Sequence, residues 1–392
     1  MLTYPFSFKK IKGIFLKRLN RFTVEVIVNS KKTLAYLPNP GRLWELLIPN
    51  TEVLIVKNHS HTKLPYTLLA CKKHNTWILL HTHLTNKIVK SLLLNKRLPF
   101  WRDWEFFKDE VRLGKGRIDF LLRNITKDCE KFMFLEVKTC TLLGKNIGMF
   151  PDAETKRGTR HIQELANLNP LNQKGALLFV IMNPDISFFM PAFHVDLTFS
   201  KNLIDLSKKL DIRAISLGFD ENFEKVSFVK EVKIPFKFIE KELRDSGSYL
   251  IWIFLDDSKD IVAGKKSFFL EKGYYIYVGS AKKGLTSRIN RHLRKKKKLH
   301  WHIDYLTKEA KKKMAIPIRS YEPLECIIAK RLANLGEPIS GFGSSDCKCN
   351  SHLFYFEQDP LKDPKFQELL IDFRINRLTI KLLDNLSDKE KN

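Results

Sequence analysis

Two neighbouring segments decide the fold of the chain: RIDFLL at residues 117–122 and FMFLEVK at residues 132–138. Both are apolar enough for strands, and side chains alternate along a strand, so Glu136 and Lys138 would share one face. A hairpin formed by the two segments would place Asp119 beside Glu136. We therefore expect two carboxylates and one ammonium group to converge on one point.

This trio has the chemistry of a phosphodiesterase centre. Two close carboxylates repel each other unless a cation lies between them, and Mg²⁺ prefers such ligands together with water and substrate phosphates. A lysine beside the metal can orient water or stabilise charge on a phosphate. The alternative is a solvated strand face with an ordinary ion pair, but charge inside an apolar strand is costly without a purpose.

Length and composition indicate a folded, basic protein. The chain has 392 residues, enough for two or three domains, and its hydrophobic content of 44% excludes wholesale disorder. A net charge of +26 favours a polyanionic partner, nucleic acid before an anionic membrane surface, over a simple lysine-rich bias.

Cysteine usage and hydropathy predict the compartment. Four of the six cysteines are scattered, which fits reduced thiols better than a disulfide framework. The N-terminus does not look like a signal peptide, and no apolar run approaches the ~20 residues of a membrane-spanning helix. We expect a cytoplasmic protein with no membrane partner, and the sequence leaves its oligomeric state open.

Residues 1–80 contain several short strand patterns, which predict a small β-barrel of the oligonucleotide-binding (OB) type. The turn LPNPGRL at residues 37–43 offers Asn39 and Arg42 to a phosphate or sugar. A purely structural turn explains its prolines and glycine equally well.

Residues 81–230 alternate helix and strand patterns. Within them a helix is expected from about Thr159. Arg157, Arg160 and His161 would then lie near the N-terminus of that helix, where free N–H groups already favour anions.

Residues 1 to about 230 resemble the sugar fermentation stimulation protein family. The resemblance implies an OB-like domain followed by a PD-(D/E)xK nuclease-like domain that binds DNA. It implies that Asp119 and Glu136 are metal ligands and that Lys138 is the catalytic lysine. The matching stretches are FLKRLNRF (15–22), LPNPGRL (37–43), GRIDF (116–120), LEVKTCTL (135–142) and residues 150–165.

Further assignments follow from position within this resemblance. Glu110 fits as a third acid of the metal site. Arg157 and His161 would contact the region of the scissile phosphate, and Arg160, on the same basic helix end, would contact nucleic acid with them.

A linker or connecting helix rich in lysine and glutamate, residues 231–246, is expected before a second unit at 247–357. Residues 358–392 are expected to form a C-terminal helix and tail. Between residues 282 and 298, nine residues are basic and none is acidic. Such a run would bind phosphates in a salt-sensitive way, and a solvated charged segment is the alternative. The run contains a predicted helix at 285–294, and four lysines follow this helix directly: Lys295, Lys296, Lys297 and Lys298.

The second unit resembles a divergent GIY-YIG nuclease domain. Its first half-motif is represented by Gly247-x-Tyr249 and its second by Tyr277-Val278-Gly279. The half-motifs are farther apart than is usual in that family, which favours binding over cleavage for this unit. The resemblance implies that Tyr249 and Tyr277 help to activate water and that Arg288, with His292 beside it, binds phosphate. It also implies that Glu325 binds one divalent ion.

His300, His302 and Asp304 would share one face of an extended segment. There they would either hold a metal or a phosphate, or pack as an ordinary polar strand. The sequence does not decide between these two interpretations.

Two cysteines near the end of the second unit have metal-ligand spacing. Cys347, Cys349 and His352 form a Cys-x-Cys-x-x-His pattern, and thiolate and imidazole ligands suit Zn²⁺. A closed site needs a fourth ligand, for which Asp346, Cys326 or a distant histidine would have to serve. A glycine-rich loop over the active site is the favoured interpretation.

Together these patterns predict an α+β multidomain protein: a small OB-like β-barrel, a PD-(D/E)xK-type α/β nuclease core and a GIY-YIG-like α/β domain. The favoured function is a DNA or RNA nuclease that depends on Mg²⁺ or Mn²⁺, since the set of acid, acid and lysine is complete. The alternative is a non-catalytic DNA-binding regulator of sugar-metabolism genes built on the same folds.

Overall fold

The computed structural model of the chain describes residues 9–58, 63–126, 129–220, 222–263 and 266–390, without the side chains of 386–390. It has the predicted α+β multidomain architecture, which begins with an OB-like barrel. The described residues form two compact units, one up to Ile239 together with the segment from Thr379, and the other Glu240–Leu378. Within these ranges no helix is both long enough and apolar enough to cross a membrane.

Alternating hydrophobic residues build the N-terminal barrel. Its strands are β1 (Lys10–Asn20), β2 (Thr23–Val28), β3 (Lys31–Tyr36), β4 (Glu52–Lys57), β5 (Tyr66–Lys73) and β6 (Thr76–Leu79). Along β2, Val24, Val26 and Val28 are buried while the residues between them are only partly buried, as the period of a strand requires. The strand order is β3-β2-β1-β4-β5-β6, and a parallel pairing of β3 with β5 closes the barrel.

A six-stranded mixed sheet forms the rest of the first unit. The elements of this part are α1 (Thr82–Leu94), β7 (Glu105–Leu113), β8 (Gly116–Ile125), β9 (Glu130–Cys140), β10 (Leu142–Leu143), β11 (Ile147–Phe150), α2 (Lys156–Ala166), β12 (Gln173–Ile181), β13 (Phe188–Pro191), α3 (Leu197–Asp205), β14 (Leu210–Phe219) and β15 (Val226–Glu231). The strand order is β15-β14-β12-β9-β8-β7, and β10, β11 and β13 form a separate small sheet.

Strand β12 is a buried central strand of this sheet. It pairs in parallel with both β9 and β14, and every residue from 175 to 181 is buried. A strand covered on both faces needs a continuous apolar run, which this segment has. The site residues of β9 are therefore attached to the most buried part of the unit.

The second unit is built on a five-stranded antiparallel sheet with the order β20-β16-β19-β22-β21, beside a hairpin of β17 and β18. The elements that follow β15 are α4 (Phe236–Glu242), β16 (Gly247–Leu255), β17 (Lys259–Ala263), β18 (Lys266–Leu270), β19 (Gly273–Ala281), α5 (Leu285–Leu293), α6 (His302–Glu309), β20 (Lys312–Arg319), α7 (Glu325–Leu332), β21 (Glu337–Pro338), β22 (Leu353–Phe356), α8 (Pro364–Ile371), a π-helical turn (Asp372–Asn376) and α9 (Arg377–Glu390).

One element prediction needs correction. The segment around His300 and Asp304 is not extended, because α6 begins at His302. Asp304 lies in the first turn of this helix and accepts hydrogen bonds from the backbone N–H groups of His300 and Trp301, each at 3.1 Å, which fixes a helix start there. Residues 231–246, for which a linker or connecting helix is predicted, contain the short helix α4.

Candidate functional site

The first candidate site lies where β8 and β9 pair. Leu122 is paired with Met133 in an antiparallel register, which sets Asp119 of β8 beside Glu136 of β9 as the sequence predicts. Asp119 Oδ2 accepts a hydrogen bond from the backbone N–H of Val137 at 2.7 Å. The two carboxylates are thus held by adjacent strands of one sheet.

Helix α1 contributes a partner that the sequence did not reveal. Asn86 Nδ2 donates to Asp119 Oδ1 at 2.7 Å, so both oxygens of this carboxylate accept hydrogen bonds. No motif marks Asn86, because its role depends on how α1 packs against the sheet. Asp119 is consequently oriented from two elements at once.

Glu136 is the more enclosed of the two acids, with 3% of its surface exposed. Its Oε1 accepts from Lys138 Nζ at 2.5 Å and lies 2.7 Å from His161 Nδ1. Among the described residues its buried Oε2 has no hydrogen-bond partner. Such an atom is costly unless something binds it, and it is therefore available to a cation.

The environment separates the two acids. Burial, followed by the nearby charge of Glu136, raises the pKa of Asp119 to about 6. Burial would also raise the pKa of Glu136, but the hydrogen bond from His161 and the charge of Lys138 outweigh it and lower that pKa. One carboxylate thus stays charged while its neighbour resists a second charge, a situation that a divalent cation relieves.

Helix α2 begins three residues earlier than predicted, at Lys156. Thr155 caps it, since its Oγ1 accepts from the N–H of Gly158 at 3.0 Å. The earlier start places Arg157 one turn before His161, and Arg157 Nε lies 3.4 Å from His161 Nε2.

His161 has a different place from the one predicted. Its side chain is fully buried and bound to Glu136, so contact with nucleic acid does not fit this geometry. Arg157 and Arg160 are exposed at the same helix end, where Arg160 lies 3.8 Å from Glu164. Contact of these two arginines with nucleic acid stays a prediction.

Glu110 lies on β7 between the cross-strand pairs Asp109–Phe120 and Val111–Ile118, opposite Asp119. Its side chain is 71% exposed, and its carboxylate pairs with Arg117 at 3.0 Å. It would have to leave this ion pair to reach a metal. Glu110 is therefore an exposed residue at the rim of the site, and its role as a third acid stays a prediction.

The proline-rich turn is held from inside. Asn39 is buried, accepts from the N–H of Gly41 at 2.9 Å and donates to the carbonyl of Leu80 at 3.2 Å, so the structure gives it a structural role instead of a nucleic-acid contact. Arg42 is half-buried and stacks on Trp44 at 4.8 Å. Of the predicted pair, only Arg42 has a side chain that is accessible to a phosphate or sugar.

The second unit gathers its predicted residues around one cavity of about 370 Å³. Strands β16 and β19 pair Tyr249 with Gly279, where a glycine is needed because any Cβ would overlap the tyrosine ring. The lining comprises Tyr249, Tyr277, Ser280, Arg288, His292, His300, Trp301, His302, Glu325, Gly343, Ser345 and Asp346.

A chain of buried hydrogen bonds leads away from this cavity. Tyr249 Oη lies 2.9 Å from His292 Nε2, and His292 Nδ1 lies 3.1 Å from Asp304 Oδ1. Burial lowers the pKa of His292 to about 4 despite Asp304, so the ring is neutral at pH 7. A neutral ring that donates to Asp304 through Nδ1 can accept a hydrogen bond from the Tyr249 hydroxyl at Nε2. Asp304 is therefore a link in this chain and not a surface metal ligand.

Arg288 is exposed at the cavity, donates to the carbonyl of Ser280 at 2.8 Å and lies over Trp301 at 5.1 Å. Glu325 opens α7 and accepts a hydrogen bond from the Ser280 hydroxyl. The cationic and anionic groups that the sequence singled out thus face the same space.

One of the four consecutive lysines is structural. Lys297 donates to the carbonyl of His292 at 2.5 Å and to Thr307 Oγ1 at 2.6 Å, and only 4% of its side chain is exposed. This corrects the prediction that it contacts nucleic acid. Lys295, Lys296 and Lys298 are exposed.

Comparisons with known proteins match three consecutive parts of the chain. Family models match residues 16–80 as the SfsA N-terminal OB domain, residues 83–223 as the sugar fermentation stimulation protein RE domain, and residues 248–373 as DUF123, a domain of unknown function.

Curated relatives share the first part of the chain at substantial identity. A sugar fermentation stimulation protein homolog from Methanosphaera stadtmanae is 38% identical over 196 residues, which are 49% of this chain and 80% of that protein. One from Clostridium tetani is 34% identical over 222 residues, 56% of this chain and 94% of that protein. A solved structure of Pyrococcus furiosus SfsA in complex with Ca²⁺ is 27% identical, with a TM-score of 0.53, and covers 60% of this chain and 99% of that chain.

Proposed function

Since the chain belongs to the sugar fermentation stimulation protein family, we propose that it hydrolyses the nucleic-acid backbone with a divalent metal ion held by Asp119 and Glu136. One observation carries the proposal: Glu136 Oε2 is buried and has no hydrogen-bond partner among the described residues, in a site that already holds a second acid and a lysine. The Ca²⁺ complex of the Pyrococcus furiosus relative supports a divalent ion in this family.

The residues present fit such an ion. Carboxylate oxygens are the ligands that Mg²⁺ and Mn²⁺ prefer. Burial and the charge of Glu136 raise the pKa of Asp119, and a bound cation would offset both effects. When bound, the ion would supply Lewis-acid polarisation of a phosphate and a more acidic water. His161 holds Glu136 in place, and Lys138, which donates to the same carboxylate, would stabilise negative charge on the phosphate.

A cleavage assay tests the proposal. Labelled single- and double-stranded DNA and RNA are incubated with the full chain in Mg²⁺ or in EDTA. We expect cleavage in Mg²⁺. The cleavage rate of the variant Asp119→Asn should be lower by more than the roughly 10–100-fold that is typical when an outer-shell partner of a metal is lost. Asp185→Asn, the same change at an exposed aspartate, should keep wild-type activity. Intact substrates with the wild-type chain in every condition would remove the enzymatic proposal.

The cavity of the second unit supports a second, weaker phosphodiesterase site. Tyr249, Arg288 and Glu325 line it together, as a site that activates water, binds phosphate and holds one cation requires. In a chain that already carries Asp119→Asn, residual cleavage should disappear with Glu325→Ala or Tyr277→Phe. Residual cleavage that both further changes leave untouched would refute this second site.

Binding without cleavage is the alternative, and the charge distribution is what favours it. The net charge is +26, and Lys295, Lys296 and Lys298 are exposed at the end of α5. These groups would bind phosphates whether or not either site cuts. A nucleic-acid-binding regulatory protein would then show salt-sensitive binding with intact substrates.

A further inference from the structure

A cluster of sulfur and nitrogen atoms lies at the start of α7 and in the loop before β22. Cys326, Cys347, Cys349 and His352 each offer one ligand atom, and these four atoms all lie within 4.8 Å of one another. The proposed nuclease activity does not require an ion in this cluster. We propose that these four side chains bind one structural Zn²⁺ ion.

The distances fit a zinc site before any metal is added. With Zn–S bonds of about 2.3 Å, a tetrahedral site separates its sulfur atoms by roughly 3.8 Å, so small side-chain rotations convert the cluster into ligands. Three thiols and one imidazole match the Cys₃His set of structural zinc sites. A disulfide would engage only two of the three sulfurs and would leave the histidine unused.

The loop is prearranged around the sulfur atoms. The backbone N–H of Cys349 donates to Cys347 Sγ at 3.4 Å, a bond that stabilises a thiolate. Gly341 and Gly343 adopt φ values of +69° and +70°, which a side chain would strain, and these turns bring the loop back over the sheet. The glycine-rich loop that the sequence predicts and the zinc site are therefore one feature.

His352 points its ligand nitrogen at the cluster. Its Nε2 lies 3.4 Å from Cys347 Sγ, while its Nδ1 lies 3.1 Å from Glu325 Oε1, and the ring is buried. Metal-bound histidines are commonly oriented by a carboxylate on the other nitrogen. Glu325 is adjacent to the ligand Cys326, so it supplies this carboxylate from the same helix turn.

The fourth ligand is the part that the sequence could not select. Cys326 lies 21 residues before Cys347 in the numbering and reaches the cluster only because α7 begins beside the loop. Gly343 and Asp346 of the same loop line the cavity with Glu325. Zinc would thus fix one wall of that cavity.

Metal analysis of the full chain tests the site. Protein purified from zinc-supplemented culture and dialysed against Mg²⁺ should contain about one zinc per chain, and Co²⁺ should give the thiolate charge-transfer and visible bands of a tetrahedral site. Cys347→Ser with Cys349→Ser should lose both signals. Cys129→Ser, at an exposed cysteine of the first unit, should keep them.

Two further variants keep the result interpretable. His352→Cys conserves a ligand and should retain zinc where His352→Ala loses it, which separates ligation from folding. Asp119→Asn should retain full zinc, so the outcome is independent of the nuclease proposal. Wild-type protein without zinc or cobalt bands, or a double serine variant that still holds zinc, would overturn the site.

Discussion

At the level of single residues, the site of the first unit depends on one fully buried histidine. His161 comes from α2, 25 residues after Glu136, and its ring closes over that carboxylate. Spacing along the chain predicted Asp119, Glu136 and Lys138, because a strand period fixes which side chains share a face. It could not predict His161 and Asn86 as their partners, because those contacts depend on helix packing.

His161→Ala should weaken metal binding rather than remove catalysis at saturating Mg²⁺. Outer-shell partners of metal ligands typically contribute 10–100-fold in affinity, so the Mg²⁺ concentration for half-maximal cleavage should rise by about that factor. His74→Ala, at an exposed histidine, is the matched control. An unchanged Mg²⁺ dependence would argue that His161 only fills space.

The buried ring of His292 predicts a pH dependence of stability. Its pKa is lowered from 6.5 to about 4, so between these pH values the unfolded chain binds a proton that the folded chain refuses. Stability from this group is present above pH 6.5 and is lost as the pH falls towards 4. The ionisable groups that face the ring are Tyr249, Arg291, Lys297 and Asp304.

Thermal melts of wild type and His292→Gln at pH 4 to 7 measure this effect. The wild-type melting temperature should fall more steeply with decreasing pH, so the gap between the two proteins should narrow below pH 6.5. A gap that stays constant across the window would contradict a neutral buried ring.

At the level of elements, periodicity predicted the strands well and the helix ends poorly. Strands β8 and β9 lie where the apolar segments 117–122 and 132–138 predicted them. The sequence predicts the start of α2 too late, because its capping residue, Thr155, lies in a segment whose composition is typical of a loop. His300, His302 and Asp304 have the period of a strand, but the carboxylate of Asp304 stabilises a helix start instead.

Thr155→Ala tests the importance of the α2 cap. The loss of the hydrogen bond to Gly158 should lower the free energy of unfolding of the first unit by about 1 kcal/mol, whereas Thr155→Ser should preserve it. Denaturant titration of the full chain, followed with a probe in the first unit, provides the measurement. Equal destabilisation by both variants would mean that the methyl group, not the cap, matters.

At the level of the whole molecule, one basic chain combines the part that matches the sugar fermentation stimulation protein family with a second unit. Composition predicts a polyanionic partner from the net charge of +26. It could not show which lysines remain accessible. Lys297 is buried by its hydrogen bonds, while its three neighbours are not.

Replacing Lys295, Lys296 and Lys298 with glutamine should reduce the salt dependence of nucleic-acid binding. Each phosphate contact contributes about 0.7–0.9 to the slope of log K against log salt, so the slope should fall by roughly 2–3. The control changes Lys330, Lys362 and Lys365, which are equally exposed lysines of the same unit. Equal effects of both triple variants would show that only total charge matters.

The position of a bound divalent ion tests the central claim most directly. Crystals of the full chain soaked in Mn²⁺ should show an anomalous peak within coordination distance of Asp119 and of Glu136 Oε2, and crystals of Asp119→Asn should lose it. If Mn²⁺ binds elsewhere, or if the space between these carboxylates stays empty at saturating Mn²⁺, the two acids do not form a metal centre and the proposed chemistry is contradicted.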